Sequence, residues 1–381
     1  MLFINNIAIA QIIIIDSINN KPISSVNVHY GQNKGATTNE DGYFELPENQ
    51  IIDTLNISHI SYQSKMILFS NLKENDTIFL TPSTINLDEI VLNSFKAKDT
   101  IIKAINKIDE NYLNIPYNLY GFFRQSLEEN SKGVEMIEVD FISFINKNKT
   151  NTKIINARRT DNYSEFGMET YGGVALEIQD GDFVRRKSYF LNLEKINDYL
   201  FEYKGQINYQ DLDVYKISFE PKDKNNLQFI RKGTLYVDSK SLAFVEIRYN
   251  FDKVKLSKII KSLSTKFKSR NKPLYTLTGV ENTIKYRRIS NNKWTLSFIN
   301  LVNLQKGVLK KRENQFKLIA KLIINNIKTN NVIPVKNNYN LSKDFSKAVK
   351  KYDNLEKWND NYKLSLSNRE RKILNDINEK K

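Results

Sequence analysis

Apolar and polar residues alternate along most of this chain, which is the pattern of half-buried β-strands. In the first 92 residues, Val26 and Val28 alternate with polar neighbours, residues 54–61 show the same alternation, and residues 77–80 form another short apolar run. Turn-forming residues separate these runs. Several short strands with turns between them predict an antiparallel β-sandwich.

Residues 34–47, KGATTNEDGYFELP, contain the clearest turn signal of this region. Asp41 and Gly42 form a pair that is favoured in tight hairpins, because glycine accepts the positive φ angles that such turns require. The turn is predicted to reverse the chain so that Phe44 and Leu46 face a core, while Tyr43 faces the other side.

Three segments show helical spacing instead. Residues 96–113 carry apolar residues at intervals of three or four, which predicts an amphipathic helix. Residues 256–267 have the same spacing with lysines between, and such a basic segment is either a contact for an anionic membrane or, as we favour, a packed helix with a solvated lysine face. Ser367 and Glu370 have capping-box spacing, which predicts a C-terminal helix.

The region from residue 115 to residue 345 is predicted to be rich in strands. Its strand-like segments are 119–128, 134–146, 213–221, 229–251, 283–304 and 315–327. The pairs Asp238-Ser239 and Asn291-Asn292 lie at predicted hairpin turns within two of them. We therefore divide the chain into a truncated signal peptide (1–10), the sandwich (11–92), a linking helix (96–113), a β-rich domain (115–345) and a charged helical tail (346–381).

The first 15 residues, MLFINNIAIAQIIII, suggest export. An apolar stretch precedes Ala8-Ile9-Ala10, which is an A-x-A cleavage pattern, and the mature chain is expected to begin near Gln11. The alternative is that this whole run forms the first strand.

The composition of the chain argues against several classes of function. The 58 lysines and arginines outnumber 43 acidic residues, but the basic residues are spread along the chain without an arginine-rich cluster, so nucleic-acid binding is not predicted. The chain has no cysteine, which excludes disulfides, thiolate nucleophiles and cysteine-ligated metals. No apolar window of about 18 residues predicts a transmembrane helix.

Four blocks carry a resemblance to a known family: KPISSVNV, GATTNEDGYFEL, DTLNISHISYQS and LDEIVL. In their order and spacing they resemble the carboxypeptidase-like regulatory domain found at the N-terminus of many envelope proteins of Bacteroidota. The resemblance implies a transthyretin-like sandwich of about seven strands that is not itself a peptidase. Residues 233–249, GTLYVDSKSLAFVEIRY, resemble the strand–turn–strand units of half-barrel lipoprotein-carrier and sorting folds.

The expected fold class is thus mainly β with some α. A transthyretin-like antiparallel β-sandwich precedes a β-rich domain, for which a half-barrel is one form, and amphipathic helices accompany it.

Few residues suggest chemistry. His29 and His59 are the two histidines, and neither lies in a zinc-peptidase motif, so we interpret both as structural or surface residues. Glu135, Glu138 and Asp140 lie on one predicted strand, with Glu138 and Asp140 on one face. A glycosidase needs two carboxyl groups about 5–9 Å apart, but outward-facing polar residues on a strand are far commoner.

The segment ETYGGVALEIQDGDF, residues 169–183, contains Asp180 and Asp182. These carboxylates could bind a cation, but the full calcium-loop pattern is missing, and we interpret the segment as turns. No catalytic, cofactor-binding or metal-binding residue is assigned, no cofactor is expected, and the ligand-binding residues are unknown.

Our hypothesis is a non-catalytic exported protein of the periplasm or outer membrane. Its sandwich would be a recognition or structural module, and its β-rich body would bind an envelope protein, a glycan or a lipid. The alternatives are a glycan-processing enzyme with paired carboxylates and a periplasmic carrier of lipids or lipoproteins.

Overall fold

The computed structural model describes nine stretches of the chain. They are residues 11–31, 33–45, 52–73, 75–84, 96–210, 212–223, 225–264, 273–353 and 364–379. The segment interpreted as a signal peptide, residues 1–10, and the block LDEIVL both lie outside these described residues.

Seven described strands form two small sheets, which we call together the N-terminal module. They are β1 (Gln11–Asp16), β2 (Asn27–His29), β3 (Gly35–Thr37), β4 (Tyr43–Glu45), β5 (Thr54–His59), β6 (Tyr62–Leu68) and β7 (Thr77–Leu80). The sheet orders are β4-β1-β7 and β3-β2-β5-β6. The β1–β7 pair is parallel and the other pairs are antiparallel. The predicted sandwich is confirmed.

The core of the N-terminal module follows from the alternation of its strands. Ile14, Val28, Leu55 and Phe44 are each at most 1% exposed and belong to one apolar cluster. Burial of side chains from both sheets in this cluster is what holds the two layers together.

The Asp-Gly turn forms, but it does not make a hairpin. Gly42 has a φ of 78°, and a Cβ there would lie 2.6 Å from the carbonyl oxygen of Ile14. Phe44 is buried as predicted, whereas Leu46 lies outside the described residues. The strands on either side of the turn, β3 and β4, belong to different sheets, because β4 pairs with β1 instead.

The predicted linking helix consists of two helices, α1 (Ala97–Asn106) and α2 (Ile108–Asn111). They are separated at Lys107, whose φ and ψ are −89° and 3°. Ile101, Ile105 and Ile108 are buried, so the predicted apolar face is the one that packs.

Ten antiparallel strands form the main sheet, in the order β10-β9-β8-β17-β16-β15-β14-β13-β12-β11. They are β8 (Tyr117–Glu129), β9 (Lys132–Asn146), β10 (Lys149–Asp161), β11 (Tyr199–Tyr209), β12 (Leu212–Pro221), β13 (Arg231–Asp238), β14 (Phe244–Phe251), β15 (Leu274–Arg288), β16 (Trp294–Leu309) and β17 (Arg312–Lys328). β10 and β11, which the alternation did not reveal, are the two edge strands.

One face of this sheet, which we call the helical face, packs against α1, α2 and the segment that follows β10. That segment contains α3 (Gly173–Gly181), α4 (Phe183–Arg186) and two 3₁₀ turns, Tyr189–Leu191 and Ile196–Asp198. The interpretation of residues 169–183 as turns was wrong for α3. Val174, Ala175 and Ile178 are at most 1% exposed, and their burial against the sheet stabilises the helix.

The remaining helices are α5 (Lys253–Ser264), α6 (Phe345–Val349) and α7 (Asn368–Asn378), with a 3₁₀ turn at Lys350–Tyr352. α5 lies at the predicted basic segment, and its Lys255 is buried and donates to the carbonyl oxygens of Asp223, Asn226 and Phe229. α7 begins with the predicted capping box of Ser367 and Glu370. Within the described residues, no helix combines the length and apolarity needed to span a membrane.

Candidate functional site between the N-terminal module and the main sheet

The N-terminal module docks on the face of the main sheet opposite the helical face, which we call the outer face. Glu138, Arg124, Lys321 and Asn300 occupy successive paired positions across β9, β8, β17 and β16. Side chains at paired positions of neighbouring strands point to the same face. The outer face is therefore strongly polar at its centre.

Hydrogen bonds hold the module against the end of β11, the residue that follows it, and β15. The Asn27 amide donates to the Tyr209 hydroxyl at 2.7 Å, and the Gln210 amide donates to the Ser58 hydroxyl at 2.5 Å. The Lys285 ammonium donates to the carbonyl oxygen of Ser25. Each contact satisfies a polar group that docking removes from water.

An ionic clasp joins the module, the main sheet and α7. Its four basic side chains and four carboxylates are Arg124, Arg158, Lys321, Arg369, Glu40, Glu128, Glu138 and Glu370. Lys321 lies 2.9 Å from Glu40 of the module and 3.0 Å from Glu370 of α7, measured from Nζ to carboxylate oxygen. The charges are equal in number, so the clasp is internally neutral.

Burial makes the clasp sensitive to the loss of any partner. Arg124 and Glu370 have side chains 3% and 1% exposed and are 3.0 Å apart. Burial favours the neutral acid, but the charges of Arg124 and Lys321 dominate and lower the pKa of Glu370 to about 2. Glu370 is therefore ionised in the folded protein at neutral pH.

A basic cleft of about 610 Å³ also lies between the module and the main sheet. Its lining includes Lys34 and Lys65 from the module and Arg287 and Arg288 from β15, together with His29. Neutral polar side chains complete most of the wall, and no Asp or Glu is among its described lining residues. The cleft thus carries charge of one sign.

Arg287 is the buried basic side chain of the cleft. It is 4% exposed, its Nη2 donates to the carbonyl oxygen of Asn33 at 2.7 Å, and its Nε has no hydrogen-bond partner among the described residues. Burial lowers the pKa of Arg287 to about 10. Gly35 makes room for it, because a Cβ on Gly35 would lie 2.9 Å from Nη1.

Both histidines are held neutral by their surroundings. Burial, with the charges of Arg287 and Lys285 adding to it, lowers the pKa of His29 to about 3. Burial also lowers the pKa of His59 well below its usual value, again with a contribution from Lys285. Within the described residues, no group of three or more His, Asp or Glu side chains is placed to hold a metal ion.

A second cavity, of about 500 Å³, opens beside Tyr112 and Trp294. Here the charges are mixed. Asp182 accepts from Arg185 at 3.2 Å, and Asp109 lies 2.9 Å from Lys187. Since its carboxylates already have basic partners, this cavity has less unmatched charge than the basic cleft.

The carboxylates singled out on β9 are engaged in ion pairs. Glu138 shares the outer face with Asp140, as predicted, but it is bound by Arg124 at 2.8 Å and also by Arg158. Glu135 binds Arg159 at 2.9 Å and accepts from the Ser346 hydroxyl. Both carboxylates are therefore held in ion pairs, and burial raises the pKa of Glu135.

The two aspartates near α3 also differ from each other in environment. Asp182 is 4% exposed, caps α4 and accepts a hydrogen bond from the Tyr286 hydroxyl at 3.1 Å. The Asp180 side chain is 60% exposed. The sequence interpretation did not single out Arg287 or Arg124. In the sequence, each is one polar residue among others in a strand, and nothing nearby indicates that it is buried.

The first comparison concerns the N-terminal module. Residues 13–92 match the family model of the CarboxypepD_reg-like domain. The resemblance seen in the four sequence blocks is confirmed, and it covers the module and not the main sheet. None of the curated proteins matches the chain.

Solved structures similar to this chain cover the larger part of it. A domain from Vibrio parahaemolyticus named for outer-membrane lipoprotein sorting and a LolA superfamily protein from Nitrosomonas europaea each share 11% identity, with TM-scores of 0.30 and 0.28. Each alignment covers 63% of this chain and 94% of the other. A DUF1329 family protein from Desulfovibrio piger has 11% identity and a TM-score of 0.26, covering 62% and 93%. At such TM-scores no argument rests on these similarities.

Proposed function

We propose that this protein is a non-catalytic, exported protein of the cell envelope that recognises an anionic ligand in the basic cleft. The observation that carries the proposal is the lining of that cleft, which brings Lys65, Arg287 and Arg288 together with no carboxylate among its described lining residues. Clefts lined by charge of one sign concentrate ligands of the opposite sign. An acidic glycan or an anionic headgroup has the required charge.

Export is supported by two features. The CarboxypepD_reg-like module resembles a domain of envelope proteins, and Ala8-Ile9-Ala10 has the pattern of a signal cleavage site. Edman sequencing of native protein from the cell envelope tests this part. A chain that begins near Gln11 is expected, and an intact Met1 would contradict it.

The glycan-processing alternative has one observation in its favour. Burial and the nearby charge of Asp180 raise the pKa of Glu177 to about 7, a value that suits a general acid. We favour recognition because Glu135 and Glu138 are committed to ion pairs. A carrier of lipids or lipoproteins is the other alternative.

The binding test compares two variants that lose the same charge. Lys65 and Arg288 are exposed at the cleft, and Lys310 and Lys311 are exposed at the turn between β16 and β17. The pair Lys65→Gln/Arg288→Gln is expected to weaken binding to dextran sulfate and to anionic vesicles at least tenfold relative to Lys310→Gln/Lys311→Gln. Surface plasmon resonance measures both.

The control matters because the whole chain has a net charge of +15, and any anionic polymer is attracted to it. Equal losses in the two double variants would show non-specific attraction and would reject the cleft. Release of reducing ends from a glycan by the wild-type protein, abolished in Glu177→Gln, would replace recognition with the enzymatic alternative.

A further inference from the structure

The basic cleft holds a guanidinium group that is buried and lacks a counter-ion in the described structure. Arg287 is 4% exposed, its Nε has no partner there, and its Nη2 is bound only to the carbonyl oxygen of Asn33. Desolvating such a charge is costly unless an anion and further hydrogen bonds compensate it. This contrasts with Arg124 in the clasp, which is bound by two carboxylates.

The surroundings of Arg287 supply both charge and neutral donors. Lys65 and Arg288 line the same cleft, and Asn56 and Ser64 are among its neutral polar residues. The small size of Gly35 leaves space for the guanidinium, because a Cβ would lie 2.9 Å from Nη1. The cleft is therefore built around this group from both the module and β15.

We propose that the basic cleft binds a phosphate monoester and that Arg287 is its central ligand. This deepens the proposed function by naming the chemical class of the ligand. A phosphate monoester carries about −1.5 to −2 charges at pH 7 and three strong acceptor oxygens. A carboxylate carries one charge, which compensates less of the positive charge that Arg287, Lys65 and Arg288 bring to the cleft.

The geometry of arginine favours this ligand. A guanidinium binds two oxygens of one phosphate through parallel N–H groups, which a lysine cannot do. The volume of about 610 Å³ exceeds what a phosphate needs and falls in the range of small-molecule sites, so the phosphate is carried on a body such as a sugar or a glycerol.

The experiment measures binding of inorganic phosphate, glucose 1-phosphate and glycerol 1-phosphate to the full chain by isothermal titration calorimetry, with acetate as the comparison. The esters are expected to bind at least tenfold more tightly than acetate. Arg287→Gln is expected to weaken the esters at least tenfold. Arg371→Gln on the exposed surface of α7 removes the same charge and is expected to leave their affinity unchanged.

A second variant keeps the charge. Gly35→Ala pushes a methyl group against Nη1 and is expected to weaken the phosphate esters while leaving Arg287 in place. Thermal unfolding without ligand shows whether each variant is folded. Arg287→Gln is expected to unfold at a temperature no lower than that of the wild type, because it removes a desolvated charge.

Vesicles containing phosphatidic acid test whether the phosphate belongs to a lipid or to a soluble ester. Binding of either the vesicles or the soluble esters supports the proposal.

Equal affinities for acetate and the esters, or esters that bind Arg287→Gln as tightly as the wild type, would overturn this assignment. The proposed function fails separately: it is rejected when the Lys65/Arg288 and Lys310/Lys311 double variants lose polymer binding equally. The two failures are therefore distinguishable.

Discussion

Phe44 is 1% exposed and lies in the core of the N-terminal module, next to strands of both of its sheets. Its position follows from the turn at Gly42, which brings β4 against β1. Phe79 on β7 is 46% exposed and offers a matched comparison within the same sheet.

Replacement of Phe44 by alanine is expected to lower the free energy of unfolding by about 3–5 kcal/mol, because it removes a large buried side chain and leaves a cavity. Phe79→Ala is expected to cost well below that amount. Urea denaturation followed by circular dichroism measures both. Similar costs for the two variants would mean that Phe44 is not in the core.

The local sequence pattern predicted the burial of some side chains. Phe44 was expected to be buried because strand alternation assigns it a face. For Arg287 no such rule exists, since an arginine in a strand is normally solvated. Its hydrogen-bond partner Asn33 lies 254 positions away in the sequence.

Among the elements, α7 contacts both the main sheet and the N-terminal module. Its first turn supplies Glu370, which binds Arg124 and Lys321 of the main sheet, and Arg369, which binds Glu40 of the module. The capping box at Ser367 fixes where the helix begins and therefore where these side chains lie.

Glu370→Gln is expected to lower the free energy of unfolding by about 3–5 kcal/mol, because it leaves Arg124 and Lys321 buried with one carboxylate fewer. Glu379→Gln, at the exposed end of the same helix, removes the same charge and is expected to have a negligible effect. Guanidinium denaturation compares them. If the two variants were equally stable, the clasp would not stabilise the fold.

Elements differed in how far their sequences predicted them. α7 carried a capping signal within four residues and was predicted correctly. β10 was missed because its side chains show no simple alternation of polarity. Part of its backbone is satisfied by a distant side chain, since Asn338 accepts from the Ile154 N–H. Helix α3 was missed because Gly172 and Gly173, at its start, are typical of a turn.

At the scale of the whole molecule, docking of the module places basic groups of the main sheet next to both histidines. Lys285 lowers the pKa of His29 and of His59, in addition to the effect of burial. A histidine whose pKa in the folded state lies below its unfolded value of about 6.5 is held in the neutral form by folding. As the pH falls, these histidines therefore bind protons in the unfolded chain at a higher pH than in the folded protein.

The free energy of unfolding is thus expected to decrease as the pH falls below about 6.5, by up to about 1.4 kcal/mol per pH unit for each histidine. Glu370 adds to the loss below about pH 4.5, because its folded pKa is depressed to about 2. Urea denaturation between pH 7 and pH 3 tests this, since these pH values span the titration of histidine and carboxylate.

The His29→Gln/His59→Gln variant separates the two contributions. It is expected to flatten the decrease above about pH 4.5 and to retain the decrease below it. A wild-type protein with constant stability from about pH 6.5 to about pH 4.5 would show that the docked histidines are not held neutral.

By itself, the sequence determined the local structure: the short strands of the N-terminal module, the turn at Gly42 and the start of α7. These features are encoded within a few neighbouring residues, through side-chain alternation, φ preference and capping. The tertiary structure alone decided which charges are compensated. Glu138 became part of a neutral clasp and Arg287 the base of a cationic cleft, because docking excludes water and brings together groups that lie far apart in the chain.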